Sequence, residues 1–528
     1  MLKEISELQK NNRTTVLNNK SIFVLMISAL KKWFSENKLA SSTLLLFGLI
    51  YCSISLVNHY NFRTAALDLG MFNHALYSFS HGKMNHFTLD LEAFGPVYFA
   101  DHFSPITLLY VPFYYIFGSW TLLIIQIAAI LFGAWGTYKV AQLKLQFTHK
   151  PIFILVIFLA QWAIVSALSF DFHNNVIAAM FVPWLYYHYL KKEKAKVILY
   201  FVLMLMCKEN IALWLVFIVI GLMLENGLKH FFKTFKTYLT FEIPLLLFAA
   251  IYFYIIVGKV MPALGEGHAV NQIARFGHLG DSIGEIIKFV FTHPIDTFKM
   301  FFESTMDDPI SYGIKKELHL VILFSGGIAL FLRPAYFIML IPIYAQKLLA
   351  ADFGFWGISG QYSIEYTPII ALAFIDLIKV LRNWKFKSVF IYLSVILVIG
   401  TNLVTLRTRK TPWYDRTTSD FTSKIHYSPD GLNVSYLHKE LAKIPSDIPL
   451  SVMSCLAPHL ANRDRIYHFP VIKDAEMIVV LKDKRSFYPL NKEDFDKKIK
   501  ELIDSKEFKL VKDENLLVIL KKIKHSVK

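Results

Sequence analysis

The sequence predicts an α-helical polytopic membrane protein of about eleven transmembrane helices, with a small α/β soluble domain at its C-terminal end. Three observations lead there. The 528 residues are 55% hydrophobic and 15% aromatic, with a mean hydropathy of +0.43, more apolar and less charged than an ordinary soluble chain. Apolar segments recur from residue 40 to residue 406, and crossing a hydrocarbon core about 30 Å thick takes about 20 residues of helix. After residue 408 apolar density falls, and the strand-like runs LSVMSC, EMIVVL and NLLVIL alternate with helix-like stretches at 436–443 and 492–503. That alternation fits a two-layer domain of about 120 residues, a size able to hold its own core.

A net charge of +16 and a pI of about 9.3 require no nucleic acid partner, because Lys and Arg fall mainly between the apolar segments and at the two ends. There they orient helices in a bilayer. Cys52 and Cys207 lie in or beside apolar segments and Cys455 is the one remaining cysteine, which argues against a disulfide framework or a cysteine metal centre. The amino terminus is too long and polar before its first apolar run for a cleaved signal peptide. Residues 1–38 therefore read as a basic cytoplasmic tail, with the short stretch 21–34 at the cytoplasmic interface.

The expected spans are 40–57, 120–140, 152–168, 176–190, 197–207, 211–224, 238–257, 319–332, 334–349, 364–380 and 389–406. A short helix at 105–117 dips into the bilayer before the second, with Gly118 and Ser119 as the break. With the amino terminus inside, the inner connections carry Lys144 and Lys150, then Lys191, Lys192, Lys194 and Lys196, then Lys229, Lys233 and Lys236, then Arg333, then Arg382, Lys385 and Lys387. The short outer connections, FDFHNN (170–175), KEN (208–210) and ADFGFWGISGQYS (351–363), hold one lysine between them, as the positive-inside rule requires. The organisation is a transmembrane domain at 39–406, external loops at 58–103 and 258–316, and an extracytoplasmic domain at 407–528, in a cytoplasmic (inner) membrane.

Carboxylates and imidazoles crowd the first external loop in DLGMFNHAL (68–76), HGK (81–83), LDLE (89–92) and DHFSP (101–105). FDFHNN adds Asp171 and His173, and KEN adds Lys208 and Glu209. The span before KEN makes about 16 Å of helix, half a bilayer, so its tip is sunk below the outer surface. An ionised group at that depth costs about 2.5–3.5 kcal/mol unless it is paired or faces water. The readings are a polar cavity open to the outside, or a structural ion pair in thinned lipid.

Asp68 and Asp101 are the candidate general bases, and Arg63 and Lys208 the cations that would hold a phosphate. Asp68 also suits the N-cap of a helix over 69–79. Asp101, His102, Asp171, His173 and Glu209 form a potential oxygen and nitrogen ligand set for a divalent cation, although no spacing among them is a metal signature. GEGH (265–268) and ARFGH (274–278) lack the spacing of a nucleotide site, and Arg275 is a candidate for meeting an anionic head group. Phe353, Phe355, Trp356, Tyr362 and Tyr366 read as an interfacial aromatic belt.

DLGMFNHAL, DHFSP, FDFHNN, KEN and the tail stretch SCLAPHLANRDRIYHFP occur in an order that resembles the bacterial membrane-protein family catalogued as domain of unknown function 2079, from residue 68 to about residue 483. That family is more distantly similar to the polytopic glycosyltransferases of the C-type fold, which include the protein mannosyltransferases and the aminoarabinose transferase of lipid A. The resemblance implies a polyprenyl-phosphate sugar donor and a catalytic acid in the first external loop, where Asp68 and Asp101 stand. The chain departs from the family at Asn73, His74 and Asn210, where acidic residues or Gln are frequent; the changes at Asn73 and Asn210 remove charge.

The function expected from these readings is an inverting membrane glycosyltransferase that moves a sugar from a polyprenyl phosphate to an extracytoplasmic acceptor. Asp68 or Asp101 would be the base, Arg63 and Lys208 would steady the phosphate, and His102, Asp171, His173, Glu209 and Arg275 would line the substrate site. A lipid or solute transporter or flippase, and a non-catalytic surface scaffold, are the alternatives. Against a transporter, the chain shows no internal repeat and its polar groups gather on one face.

Overall fold

In the computed structural model the described residues are 28, 34–86, 88, 89, 91, 97–146, 151–266, 272–411, 414–429, 431–483 and 487–523. The basic tail, almost all of the interfacial segment 21–34, Asp90 and Glu92 of LDLE, Lys150, and Gly267 and His268 of GEGH lie outside them. Residues 1–50 form one unit and residues 51–528 a second. Of the first unit, the main described part is the opening of helix α1 (Lys38–Tyr60), where Leu45, Leu46 and Leu49 are exposed.

The apolar segments of the second unit fold as α2 (Met71–Ser80), α3 (Thr121–Lys144), α4 (Pro151–Leu159), α5 (Trp162–Phe170), α6 (Asn174–Leu190), α7 (Lys194–Leu205), α8 (Ile211–Leu224), α9 (Leu228–Tyr238) and α10 (Glu242–Ile255). They continue as α11 (Ile314–Ile322), α12 (Pro334–Leu348), α13 (Tyr366–Val380) and α14 (Lys387–Thr405). Among the described residues, Lys38–Tyr60, Pro105–Lys144, Pro151–Phe170, Glu242–Leu264 and Lys387–Thr405 are long and apolar enough to cross a membrane. The pair α8 and α9 adds a sixth crossing if, despite a bend of 114°, it is one span. All eleven expected segments contain helix, but α6, α7, α8, α12 and α13 have only 17, 12, 14, 15 and 15 residues. Helices this short are viable where protein covers them; α13 is buried from Tyr366 to Ile378.

Two helical runs are broken inside the bundle. Gln161, between α4 and α5, is extended (φ −63°, ψ 135°), and the run after α11 breaks at Ser325 and Gly326. Gly326 sits at φ +97°, and a Cβ there would stand 3.3 Å from Ile370, so both the backbone and the space call for glycine. Side chains replace the lost helical bonds, as an apolar medium demands. Tyr51 donates to the Leu159 carbonyl (2.7 Å), Asn402 to that of Ala160 (2.9 Å) and Gln161 to that of Ser325 (2.9 Å). The expected break at Gly118 is also present, with φ +54°.

The tail holds α15 (Val434–Leu441), α16 (Lys492–Asp504) and strands β1 (Leu450–Val452), β2 (Ile466–His468), β3 (Met477–Leu481), β4 (Phe508–Glu514) and β5 (Leu517–Lys522). The sheet order is β2-β1-β3-β5-β4. β1 runs parallel to β2 and β3, while β5 is antiparallel to β3 and β4. Its core is not self-contained: Phe62, Ala66, Met71 and Leu89 of the first loop join Leu437, Leu456, Ile478, Phe495 and Leu520 in one apolar cluster. The loop thus folds as part of the tail domain.

Candidate active site

The chain leaves α1 into an irregular stretch ending in Asp68, whose backbone takes φ +75°, ψ −102°. A non-glycine residue held there stores about 1–3 kcal/mol, a cost seen mainly where surrounding contacts impose it. The contacts are present on both sides. The Ala66 amide donates to Ser454 Oγ of the tail (3.1 Å), the Ala65 amide to Asp171 Oδ2 (3.3 Å), and the Gly70 amide to the Ala65 carbonyl (3.0 Å). α2 begins only at Met71 and has no side-chain cap. The expected N-cap role of Asp68 is therefore not taken; its carboxylate turns to His173, with Oδ1 3.1 Å from Nε2.

His173 belongs to the turn between α5 and α6, and that turn is held by Gln126 of α3. Gln126 donates to the Asp171 carbonyl (2.7 Å) and accepts from the His173 amide (2.9 Å). The next two residues are tied as well, Asn174 accepting from Tyr110 (3.1 Å) and Asn175 donating to Glu365 (2.9 Å). An isolated glutamine within an apolar helix was the available sign for Gln126, which sequence reasoning passed over.

A second set forms where DHFSP meets the KEN turn. The Phe103 amide donates to Glu209 Oε2 (3.1 Å) and the Ile106 amide to the Met206 carbonyl (3.0 Å). His102 stands between two carboxylates, its Nδ1 3.3 Å from Glu209 Oε1 and its Nε2 3.8 Å from Asp101 Oδ2. Cys207 and Glu209 are buried, so the KEN tip is recessed in protein. The two sets share one electrostatic neighbourhood, since His102 and Lys208 both act on Asp68. Asp68, Asp101, His102, Asp171, His173, Lys208 and Glu209 are thus brought together.

The two arginines are not. Arg63 donates to the carbonyls of Thr417 (3.0 Å), Ile425 (3.3 Å), His426 (2.6 Å) and Ser428 (2.6 Å). It clamps the tail instead of facing the cluster, because the chain turns away from α1 exactly where Arg63 stands. Arg275 lies at the edge, with Nε 3.9 Å from Asp352 and its guanidinium 4.6 Å from the Phe355 ring. Its charge and that of Asp68 both reach Tyr362. The aromatic group is not a surface belt throughout: Trp356 and Tyr366 are fully buried, packed where the loop folds back into the bundle. Among the described residues no group of three or more His, Cys, Asp or Glu side chains is placed to hold a metal ion.

A family model described as a predicted membrane protein matches residues 58–497, which takes in every residue of this cluster and most of the tail. The chain belongs to the DUF2079 family. No curated protein matches it. As a membrane protein, the DUF2079 chain has the lipid bilayer as a partner.

The charge states within the DUF2079 cluster differ by position. Burial pushes Asp68 up, but His173, His102 and Lys208 outweigh it and hold the carboxyl below its ordinary range. Burial, reinforced by Glu209 and Asp68, raises Asp101 despite His102 and Lys208. Asp171 is raised well above the usual range by burial and by Asp68, whereas Glu209 is lowered because His102 and Lys208 overcome its burial. Burial lowers His173. The pair is therefore a neutral imidazole giving its Nε2 proton to an ionised Asp68. Exposure separates the acids further: the Asp68 side chain is 35% exposed, against 16% for Asp101 and 10% for Glu209.

Proposed function

We propose that this chain is an inverting glycosyltransferase of the C-type kind, with about eleven spans and an outward site, and that Asp68 is its base. The observation that carries the reading is the Asp68 carboxylate, held below its ordinary range and 35% exposed, beside Asp101 and Glu209 at 16% and 10%. Asp68 takes the proton of an acceptor hydroxyl as that oxygen forms its bond to the anomeric carbon. The bond from that carbon to the phosphate oxygen breaks with its electron pair, leaving polyprenyl phosphate. His173 fixes the orientation of Asp68, Lys208 steadies the departing phosphate, and Asp101, His102, Asp171 and Glu209 shape the cavity. Arg275 meets the phosphate from the edge of the site.

The test is transfer of labelled sugar from a polyprenyl-phosphate donor by the purified protein. General-base catalysis contributes about 10²–10⁴-fold, so Asp68→Asn should lose activity on that scale while Asp101→Asn retains most of it. Full activity in Asp68→Asn removes the assignment. The broken helices at Gln161 and Gly326 favour one second reading, a transporter, since interrupted helices mark many substrate paths. Protein-dependent movement of a lipid or solute across proteoliposome membranes, without covalent change, would establish it instead.

A further inference from the structure

We propose that α9 is an in-plane anchor that recognises anionic phospholipid headgroups. The helix is short, LKHFFKTFKTY, and is joined through residues 225–227 to α8 and through residues 239–241 to α10. Both neighbours are apolar, and α10 leaves Leu247, Ile251 and Tyr254 exposed, so α9 is tied at its C-terminal end to a helix with lipid-facing surface. It departs from α8 at 114°, so with α8 along the membrane normal it runs nearer to the plane of the membrane than to that normal. Gly227, at φ +89°, makes that corner, a conformation that glycine adopts without penalty.

The side chains of α9 sort into two stripes. Leu228, Phe232, Phe235 and Leu239, spaced along one face, are exposed by 64%, 71%, 40% and 51%. Beneath them Phe231 stacks on Tyr238 (5.8 Å), and Tyr238 donates to the Met223 carbonyl (3.1 Å), which fixes the helix to the end of α8. Lys229, Lys233 and Lys236 form an adjacent exposed stripe. The segment contains no Asp or Glu, and none of the three lysines pairs with a carboxylate among the described residues. An apolar stripe flanked by unneutralised lysines, placed between two apolar helices, is the pattern of a helix that beds its apolar face among the acyl chains and its cations among phosphates. This inference is independent of the proposed transferase activity.

The experiment places a bimane fluorophore on F232C, in the full chain carrying C52S, C207S and C455S, reconstituted in phosphatidylcholine vesicles with or without phosphatidylglycerol. With the anionic lipid, brominated acyl chains should quench the fluorophore and aqueous iodide should not. Replacing Lys229, Lys233 and Lys236 together by Gln should reduce the preference for the inserted state on the order of a hundredfold, at about a factor of five per lysine. A label on L247C, quenched by brominated lipid in every vesicle, reports that each variant is folded and inserted. Quenching at position 232 by iodide alone in anionic vesicles overturns the proposal, and so does lipid quenching that ignores both the anionic lipid and the loss of the lysines.

Discussion

At the scale of single residues, two aspartates that look equivalent in the sequence are shifted in opposite directions by their surroundings. Asp68, lowered, contributes stability that is present above its unfolded value of 3.8 and is lost as pH falls through its still lower folded value. Asp101, raised, contributes stability below 3.8 that is lost as pH rises through its folded value. An amide mimics the protonated form, so Asp101→Asn should unfold at the same or a higher temperature than the parent at neutral pH, with a shallower loss as pH rises above 3.8. Thermal unfolding in detergent checks this, and a clear destabilisation at neutral pH would contradict a site that favours the protonated form of Asp101. The residue types of the cluster were legible in the loop motifs, but what distinguishes Asp68 from Asp101 was not, because it rests on exposure and on His173, which is remote in sequence from Asp68. Arg63 shows the converse: a cation five positions before a carboxylate reads as its neighbour, yet the fold spends it on tail carbonyls.

At the scale of elements, the apolar segments were readable because burial and lipid contact both demand hydrophobic runs. Their interruptions were not. Residues 152–168 read as one span, and the carbonyls freed at Leu159 and Ala160 are satisfied by Tyr51 and Asn402, partners that no local pattern announces. The same logic makes Gln126 the element-level support of the site. Gln126→Leu keeps the volume but leaves the Asp171 carbonyl and the His173 amide buried and unpaired, a loss of about 2–5 kcal/mol. The expected outcome is a lower unfolding temperature together with a fall in transfer rate, since His173 is released from its setting against Asp68. An unchanged unfolding temperature would show that the turn holds itself.

At the scale of the whole molecule, the shift in composition after residue 408 marked the tail, and β1, β3 and β5 fall on the three strand-like runs. β2 is a three-residue strand and β4 is rich in charge, so neither carries the alternation that identifies a strand. The docking of the tail could not be read either, since it joins Phe62 and Ala66 to residues near the other end of the chain. Arg63 is the test of that docking. Arg63→Ala removes a charged donor from four carbonyls and should weaken the joint by about 3 kcal/mol, seen as faster limited proteolysis between residues 407 and 433; protection equal to the parent would mean that the apolar cluster alone holds the joint. The shared core also sets an order of events during synthesis. Val518 to Leu520 complete the apolar cluster against which Ala66 rests, and Ser454 supplies the oxygen that receives the Ala66 amide. The bent backbone that presents Asp68 therefore leans on residues that leave the ribosome after all the membrane helices.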